Sequence, residues 1–206
     1  YQTSWLSNVS YTYARDLLKG NITIREIIEF FKNNADENMD GMLTSFATNI
    51  KRYFKNYEGF YSWSDLKYLL FEYEADLAKG RNMSRISSWE YFTKTPKDKI
   101  SIEHIYPQKP SNYYWRNQFR GYTIEEYHKL ANSLGNLLPL SQSVNSALQN
   151  DEFNNKKNGT DRRERGYHNG SYAEQEVAKY TDWNPKTILE RGLMLLTFME
   201  NRWGFN

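Results

Sequence analysis

The sequence predicts a mainly α-helical fold that carries one small β-hairpin. Apolar side chains recur at helical spacing through much of residues 1–98, and Asn184-Pro185 has the pattern of an N-cap and a first-turn proline. Between these regions, residues 99–106 alternate as a strand does, and residues 137–140 form a second short apolar segment. We therefore expect a helical scaffold around two strands and the helix that follows them.

Two helical patterns with capping signals precede the first strand. One begins at a capping box formed by Thr23 and Glu26. Another is expected to begin at Ser64, a common N-cap residue, and to end at Gly80. The apolar positions of this region are Ile24, Ile27, Ile28, Phe31, Leu43, Phe46, Ile50, Phe54, Leu66, Leu69, Leu70, Tyr73 and Leu77. Packing between antiparallel helices explains them better than a groove for a partner.

The later segments follow from turn residues and capping signals. A polar segment with Asn82, Ser84 and Ser87, and then Pro96, marks a boundary before the first strand. The segments predicted after it are a loop at 108–121, a short helix from the Thr123–Glu126 capping box to about Asn132, a helix at 144–153, a loop at 154–171 and a helix at 172–180. The inner face of the last helix is expected to comprise Ile188, Leu189, Leu193, Leu196 and Met199.

These segments suggest three regions along the chain. They are a helical region at residues 1–98, a strand–strand–helix unit at 99–160, and a loop with C-terminal helices at 161–206. Because the chain opens at Tyr1 in the middle of a pattern, we expect it to be part of a longer protein.

Composition limits the classes of function. The formal net charge is only +2, so any contact with nucleic acid has to come from local basic clusters. The chain has no Cys, which excludes a disulfide framework and cysteine-ligated zinc. This composition fits an intracellular protein, and we expect a cytoplasmic location. No apolar run is long enough to cross a bilayer, so no membrane partner is expected.

Three short motifs of the central unit carry residues suited to chemistry. SIEHIYPQ puts Glu103 beside His104 at the end of the first predicted strand. LGNLLPL puts Asn136 just before the second strand, and SVNSALQN puts Asn145 near the start of a helix. Hydrolysis of a phosphodiester needs a base for the water and a cation for the charge that develops on phosphate. A neutral imidazole suits the first need, and carboxylate and amide oxygens suit a hard divalent metal.

These requirements assign a role to each residue. We interpret His104 as the general base, and Glu103 and Asn145 as candidate metal ligands. Asn136 suits a bracing role, because its side chain can bind the backbone of the opposite loop. Neighbouring residues of a strand face opposite ways, so Glu103 and His104 reach one rim only where the strand twists or ends. The ordered set predicts a metal-dependent nuclease, although each motif alone is weak.

The same segments carry a family resemblance. IEHIYPQ, LGNLLPL and VNSALQN, with F-x-x-KK at 153–157, resemble the nuclease half of GmrSD-type modification-dependent restriction enzymes. More broadly they are similar to the HNH, or His-Me finger, nucleases with their ββα-metal fold. The resemblance covers roughly residues 60–206. It implies His104 as general base, Asn136 as the residue that orients the hairpin, and Glu103 and Asn145 as ligands of a divalent metal, Mg²⁺ or alternatively Mn²⁺.

The resemblance also implies partners. DNA is the expected substrate, cleaved in defence against phage, and an NTPase module is expected in the same or a companion chain. Lys156 and Lys157 follow the motif helix and are expected to contact phosphate as point charges.

Other interpretations stay open for parts of the sequence. A catalytically inactive module that kept the fold would bind nucleic acid with a steep salt dependence and not cleave it. A helical interaction domain would depend on the N-terminal helices alone. The aromatic and basic side chains of residues 106–120 suit nucleic-acid binding, but a loop that packs its own rings explains them equally well. His128 and His168 are expected to be surface or packing residues.

Overall fold

The structure, a computed structural model, describes residues 2–81 and 99–204, without the side chains of 2–7 and 35–45. The predicted boundary at Asn82, Ser84, Ser87 and Pro96, and the side chain of Leu43, lie outside the described part. Contacts between residues divide the chain into two compact units, Tyr1–Asn49 and Ile50–Asn206.

The described elements confirm a mainly helical fold with a small two-stranded sheet. In chain order they are α1 (Gln2–Leu18), α2 (Ile24–Lys55), α3 (Leu66–Lys79), β1 (Ile100–His104), α4 (Tyr113–Gln118), α5 (Ile124–Ala131), β2 (Leu137–Ser141), α6 (Gln142–Leu148), α7 (Phe153–Asn158), α8 (Tyr172–Val177) and α9 (Pro185–Trp203). Short 3₁₀ segments occur at Gly59–Ser62, Leu134–Asn136 and Tyr167–Asn169. Within the described residues, no helix combines the length and the apolar character that a membrane span needs.

The first unit consists of α1 and most of α2. The predicted capping box is confirmed, because the Glu26 amide donates to the Thr23 hydroxyl at 3.3 Å and the Thr23 amide donates to the Glu26 carboxylate at 2.8 Å. The ring of Tyr13 packs on Phe30 with centroids 4.7 Å apart. Two of the predicted apolar positions, Ile24 and Ile28, are exposed, whereas Ile27 and Phe31 are half-buried, so the inward face is narrower than the spacing suggested.

The second unit is built around the antiparallel pair of β1 and β2. Its register pairs Ile100 with Ser141 and His104 with Leu137. The segment between the strands covers one side of the pair with rings, and Tyr106 stacks on Phe119 at a centroid distance of 3.7 Å. The sheet therefore has little surface of its own and depends on the helices around it.

Three segment predictions in this unit are wrong, at least in part. The predicted loop at 108–121 contains α4, which Asn112 caps by accepting a hydrogen bond from the Trp115 amide at 3.0 Å. The indole of Trp115 is fully buried, so this aromatic segment is part of the core. The predicted helix at 144–153 is interrupted, because Gln149 has φ +35° and turns the chain between α6 and α7. Part of the predicted loop at 154–171 is consequently helical.

The ends of α3 match the sequence in part. Asp65, and not Ser64, occupies the N-cap position, and it makes no side-chain capping bond. Gly80 is the C-cap residue, as predicted. Leu66, Leu69, Leu70 and Tyr73 are buried and Leu77 is half-buried, so the predicted apolar face does pack inward.

The start of α9 is confirmed, and its predicted inner face is right for Ile188 and Met199 but wrong for Leu189 and Leu193. Asn184 accepts hydrogen bonds from the amides of Lys186 and Thr187 at 3.0 and 3.2 Å, ahead of the first-turn proline. Leu189 and Leu193 are 63% and 55% exposed. The buried residues are Ile188, Arg191, Leu195, Phe198 and Met199. The face is rotated because a charged residue, Arg191, lies at its centre.

A close approach of two backbones fixes α9 against the start of β2. A Cβ atom on Gly135 would lie 1.9 Å from the carbonyl oxygen of Ile188 and 2.6 Å from the amide nitrogen of Gly192. Only a residue without a side chain fits at this contact. On the facing helix, a Cβ on Gly192 would meet its nearest atom at an ordinary 3.5 Å.

We predict that Gly135→Ala lowers the free energy of unfolding by about 1–3 kcal/mol or more, because backbone atoms must separate to admit the methyl group. The matched variant Gly192→Ala should leave stability unchanged or raise it by up to about 1 kcal/mol through helix propensity. Urea unfolding of both variants measures the difference. Equal destabilisation by the two substitutions would contradict the close approach.

Candidate active site

His104 ends β1 in a largely buried position. Its side chain is only 9% exposed, and its Nε2 lies 3.1 Å from Oδ1 of Asn132. The ring of Tyr61 packs against the imidazole with centroids 4.5 Å apart. Burial lowers the pKa of His104 to about 4, and the neighbouring Lys156 charge acts in the same direction. The imidazole is therefore neutral near pH 7 and able to accept a proton.

The side chain of Glu103 points to the face of β1 opposite His104, where it is buried. Its Oε1 accepts hydrogen bonds from Nζ of Lys156 at 2.6 Å and from the hydroxyl of Tyr167 at 3.0 Å. Burial raises the pKa of Glu103, and the attraction of the Lys156 ammonium opposes that rise. Burial also raises the pKa of Tyr167, so its hydroxyl keeps the proton that it donates. The carboxylate is thus held by two buried donors.

The two lysines expected to contact phosphate are placed elsewhere. Lys156 is fully buried, and besides Glu103 its ammonium binds the backbone carbonyl of His104 at 3.2 Å. Lys157 is half-buried and donates to the carbonyl of Tyr180 at 3.2 Å. The prediction is therefore corrected, because long-range partners inside the fold hold both ammonium groups.

Asn136 is fully buried and binds the chain just after His104. Its Oδ1 accepts from the Tyr106 amide at 2.7 Å, and its Nδ2 donates to the Tyr106 carbonyl at 2.9 Å. Nδ2 also donates to the carbonyl of Ala131, and Oδ1 also accepts from the indole of Trp183. These are the contacts that a brace on the histidine strand requires.

Asn145 in α6 faces β1 through its amide nitrogen. Nδ2 donates to the hydroxyl of Ser101 at 2.9 Å and to the carbonyl of Ile102 at 3.3 Å. Ser101 and Glu103 share one face of the strand, because side chains alternate along it. The Oδ1 atom of Asn145 has no hydrogen-bond partner among the described residues.

A cavity of about 700 Å³ brings three of the predicted residues together. Glu103, His104 and Asn145 all line it, whereas Asn136 is buried and lies outside its lining. Three lysines, Lys67, Lys99 and Lys109, line the same cavity, and Glu103 is the one acidic residue among its described lining residues. The cavity therefore favours an anionic ligand.

Sequence reasoning missed several of these residues. The sequence marks Asn132 only as the end of a helix, and no motif marks Lys67 or Lys99. Lys67 lies on α3 and Lys99 just before β1, so the cavity collects residues that are distant along the chain.

We predict that Lys156→Met lowers the free energy of unfolding by about 3–5 kcal/mol, because Glu103 is left as a buried charge without its partner. The exposed pair of Lys129 and Glu125 supplies a matched control, since its nitrogen and oxygen lie 2.7 Å apart on a helix surface. Lys129→Met should cost about 0.5 kcal/mol or less. In chemical denaturation, a Lys156→Met effect no larger than the control would contradict this role.

The buried imidazole predicts a pH dependence of stability. Its pKa falls from 6.5 to about 4 on folding, so the unfolded chain binds the proton more tightly in that range. The contribution of neutral His104 is complete above pH 6.5 and is lost as the pH falls towards 4. That loss amounts to about 2–3 kcal/mol.

Unfolding free energies of the chain and of His104→Gln measure this effect across the same pH range. The difference between the two proteins should shrink as the pH is lowered. Parallel curves would show that His104 does not lose its proton affinity on folding.

Comparison with known families gives one match. The family described as GmrSD restriction endonucleases, C-terminal domain, matches residues 46–198, about three quarters of the chain. The match includes β1, β2 and α6. It begins at residue 46, somewhat before the resemblance found in the sequence, which covers roughly residues 60–206. No curated protein and no solved structure matches the chain significantly.

Proposed function

The chain belongs to the family of GmrSD restriction endonucleases, C-terminal domain, and on this premise we propose that it is a metal-dependent endonuclease that hydrolyses DNA. The observation that carries the proposal is the convergence of Glu103, His104 and Asn145 on one cavity lined by lysines. Glu103 and His104 lie in β1, and Asn145 lies in α6, the helix that follows β2.

The proposed catalytic unit consists of β1, β2 and α6, a His-Me finger of the HNH type. Its order along the chain is strand, strand and helix, and the two strands are antiparallel. His104 ends the first strand, Asn136 precedes the second, and Asn145 lies in the helix. This arrangement supports the unit that the motifs predicted.

His104 is the proposed general base. A neutral imidazole beside the scissile phosphate takes a proton from water, and the water oxygen then forms a bond to phosphorus. The bond from phosphorus to the leaving oxygen breaks, and that oxygen takes up a proton. Burial keeps the pKa of His104 low, so the base stays available well below neutral pH.

The donor set fits a hard divalent cation, with Mg²⁺ the first choice and Mn²⁺ the second. The side-chain donors to Glu103 bind Oε1, its carboxylate also accepts from the His104 backbone amide, and the hydrogen bonds of Asn145 use its amide nitrogen. The Glu103 carboxylate and Oδ1 of Asn145 are the proposed ligands. Among the described residues, no group of three or more acidic or histidine side chains is arranged to hold a metal. Water would complete the shell, and the bound cation would stabilise negative charge that develops on phosphate.

The lysines at the cavity supply the proposed contact with DNA. Lys99 and Lys109 are exposed, and the ammonium of Lys67 binds the carbonyl of Ile100 at the edge of β1. Such charges attract the phosphate backbone without reading its sequence. The expected NTPase companion, the cytoplasmic location and the role in phage defence stay predictions from the sequence.

We expect the chain to nick supercoiled plasmid DNA with Mg²⁺ or Mn²⁺, and expect a chelator to stop the reaction. His104→Ala should reduce the rate by about 10²–10⁴-fold, the usual contribution of a general base. His168→Ala is the matched control, because that histidine is exposed and outside the cavity lining, and it should cut at the unsubstituted rate.

Two outcomes would overturn the proposal. Equal cutting by the unsubstituted chain and His104→Ala would remove His104 as the base. Salt-sensitive DNA binding without cleavage under either metal would support the inactive binding module. Circular dichroism of each variant separates loss of chemistry from loss of fold.

A further inference from the structure

We propose that Asn132 is a positioning residue that fixes the tautomer of His104, so that Nε2 carries the proton and Nδ1 is the nitrogen that accepts one. Asn132 is itself held by the turn at residues 57–60, which joins α2 to α3. The use of Nδ1 in catalysis rests on the proposed function, whereas the tautomer is a property of the protein alone.

The first step is the contact between the two side chains. Nε2 of His104 lies 3.1 Å from Oδ1 of Asn132, and an amide oxygen can only accept a hydrogen bond. The imidazole must therefore donate through Nε2. A neutral imidazole carries one N–H, which leaves Nδ1 with the lone pair.

The second step is the orientation of the Asn132 amide. Its Nδ2 lies 3.4 Å from the backbone carbonyl of Tyr57, which can only accept. Its Oδ1 also accepts a hydrogen bond from Nε2 of Gln108 at 3.4 Å. Rotating the amide by half a turn would set an oxygen against the Tyr57 carbonyl oxygen and a second donor against the Gln108 amide nitrogen. The surroundings therefore select the oxygen for His104.

The third step is the position of the Asn132 backbone. Its carbonyl accepts from the amide of Phe60 at 3.0 Å, and its own amide donates to the carbonyl of His128 at 3.1 Å. Gly59 has φ +51°, and a Cβ atom there would lie 2.5 Å from the carbonyl oxygen of Asn132. A glycine is thus needed for this turn to reach Asn132.

The same stretch of chain also contacts the imidazole directly. Tyr61 follows the turn and packs its ring against His104. Asn132 is 7% exposed, so water competes little for its hydrogen bonds. A segment of the helical scaffold, outside the proposed strand–strand–helix unit, therefore sets the orientation and the proton position of the base.

The test is nitrogen-15 NMR of the full chain labelled at histidine, with His104→Gln to assign the His104 signals. We expect the Nε2–H tautomer near neutral pH. In Asn132→Leu, which keeps the size but not the acceptor, we expect a mixture of tautomers. Asn132→Asp restores an oxygen acceptor and should restore the Nε2–H form, at a cost in stability because its second oxygen replaces the donor that faces the Tyr57 carbonyl.

Cleavage kinetics supply the second readout. Asn132→Leu should lower kcat by about 10–100-fold, as loss of an orienting partner does elsewhere, with little change in KM. Asn132→Asp should recover most of kcat. A positioning role predicts this split, whereas a weakened fold alone would not be rescued by the aspartate.

Each result decides the assignment. An Nδ1–H tautomer in the unsubstituted chain would overturn it without any variant, even where Asn132→Leu fails to fold. An unchanged tautomer in a folded Asn132→Leu would overturn it as well. If the tautomer behaves as expected but no DNA is cut, the proposed function fails and the assignment of Asn132 stands.

Discussion

The candidate site depends on one buried amide, that of Asn136. Its two atoms make four hydrogen bonds, to both backbone groups of Tyr106, to the Ala131 carbonyl and to the Trp183 indole. An unpartnered buried amide is costly, so these partners have to be present together. Through them the strand with His104, the end of α5 and the approach to α9 take fixed positions relative to one another.

Buried charges complete the frame around this amide. Lys156 neutralises Glu103 on one side, and Arg191 binds the carbonyls of Gly135 and Leu137 at 2.8 Å on the other. A buried ion pair adds little net stability, but removing one of its partners is strongly destabilising. At the cavity the imidazole of His104 and the amide of Asn145 are neutral, the carboxylate of Glu103 is paired with Lys156, and the positive field comes from lysines at the edge.

Local signals in the sequence were sufficient for much of this fold. The capping boxes at Thr23 and Thr123, the N-cap at Asn184, the two strands and the order of the motifs all follow from short-range spacing. Contacts between residues that are distant along the chain cannot be read from such local signals. Lys156 looked like a surface cation because its partner Glu103 lies far away along the chain. The face of α9 was displaced because a charged Arg191 is buried, and α4 was missed because rings without periodicity form the core around Trp115.

The strand register has a consequence for how the molecule is made. His104 pairs with Leu137, and a long segment of chain separates the two residues. Closing this loop costs conformational entropy before the contacts between the strands can stabilise the pair. The contacts around Asn136 also require Trp183 and Arg191. Both are synthesised after all the described residues that line the cavity. A growing polypeptide therefore holds the side chains that line the cavity before it can assemble them, so the cavity takes its final form only after α9 has been synthesised.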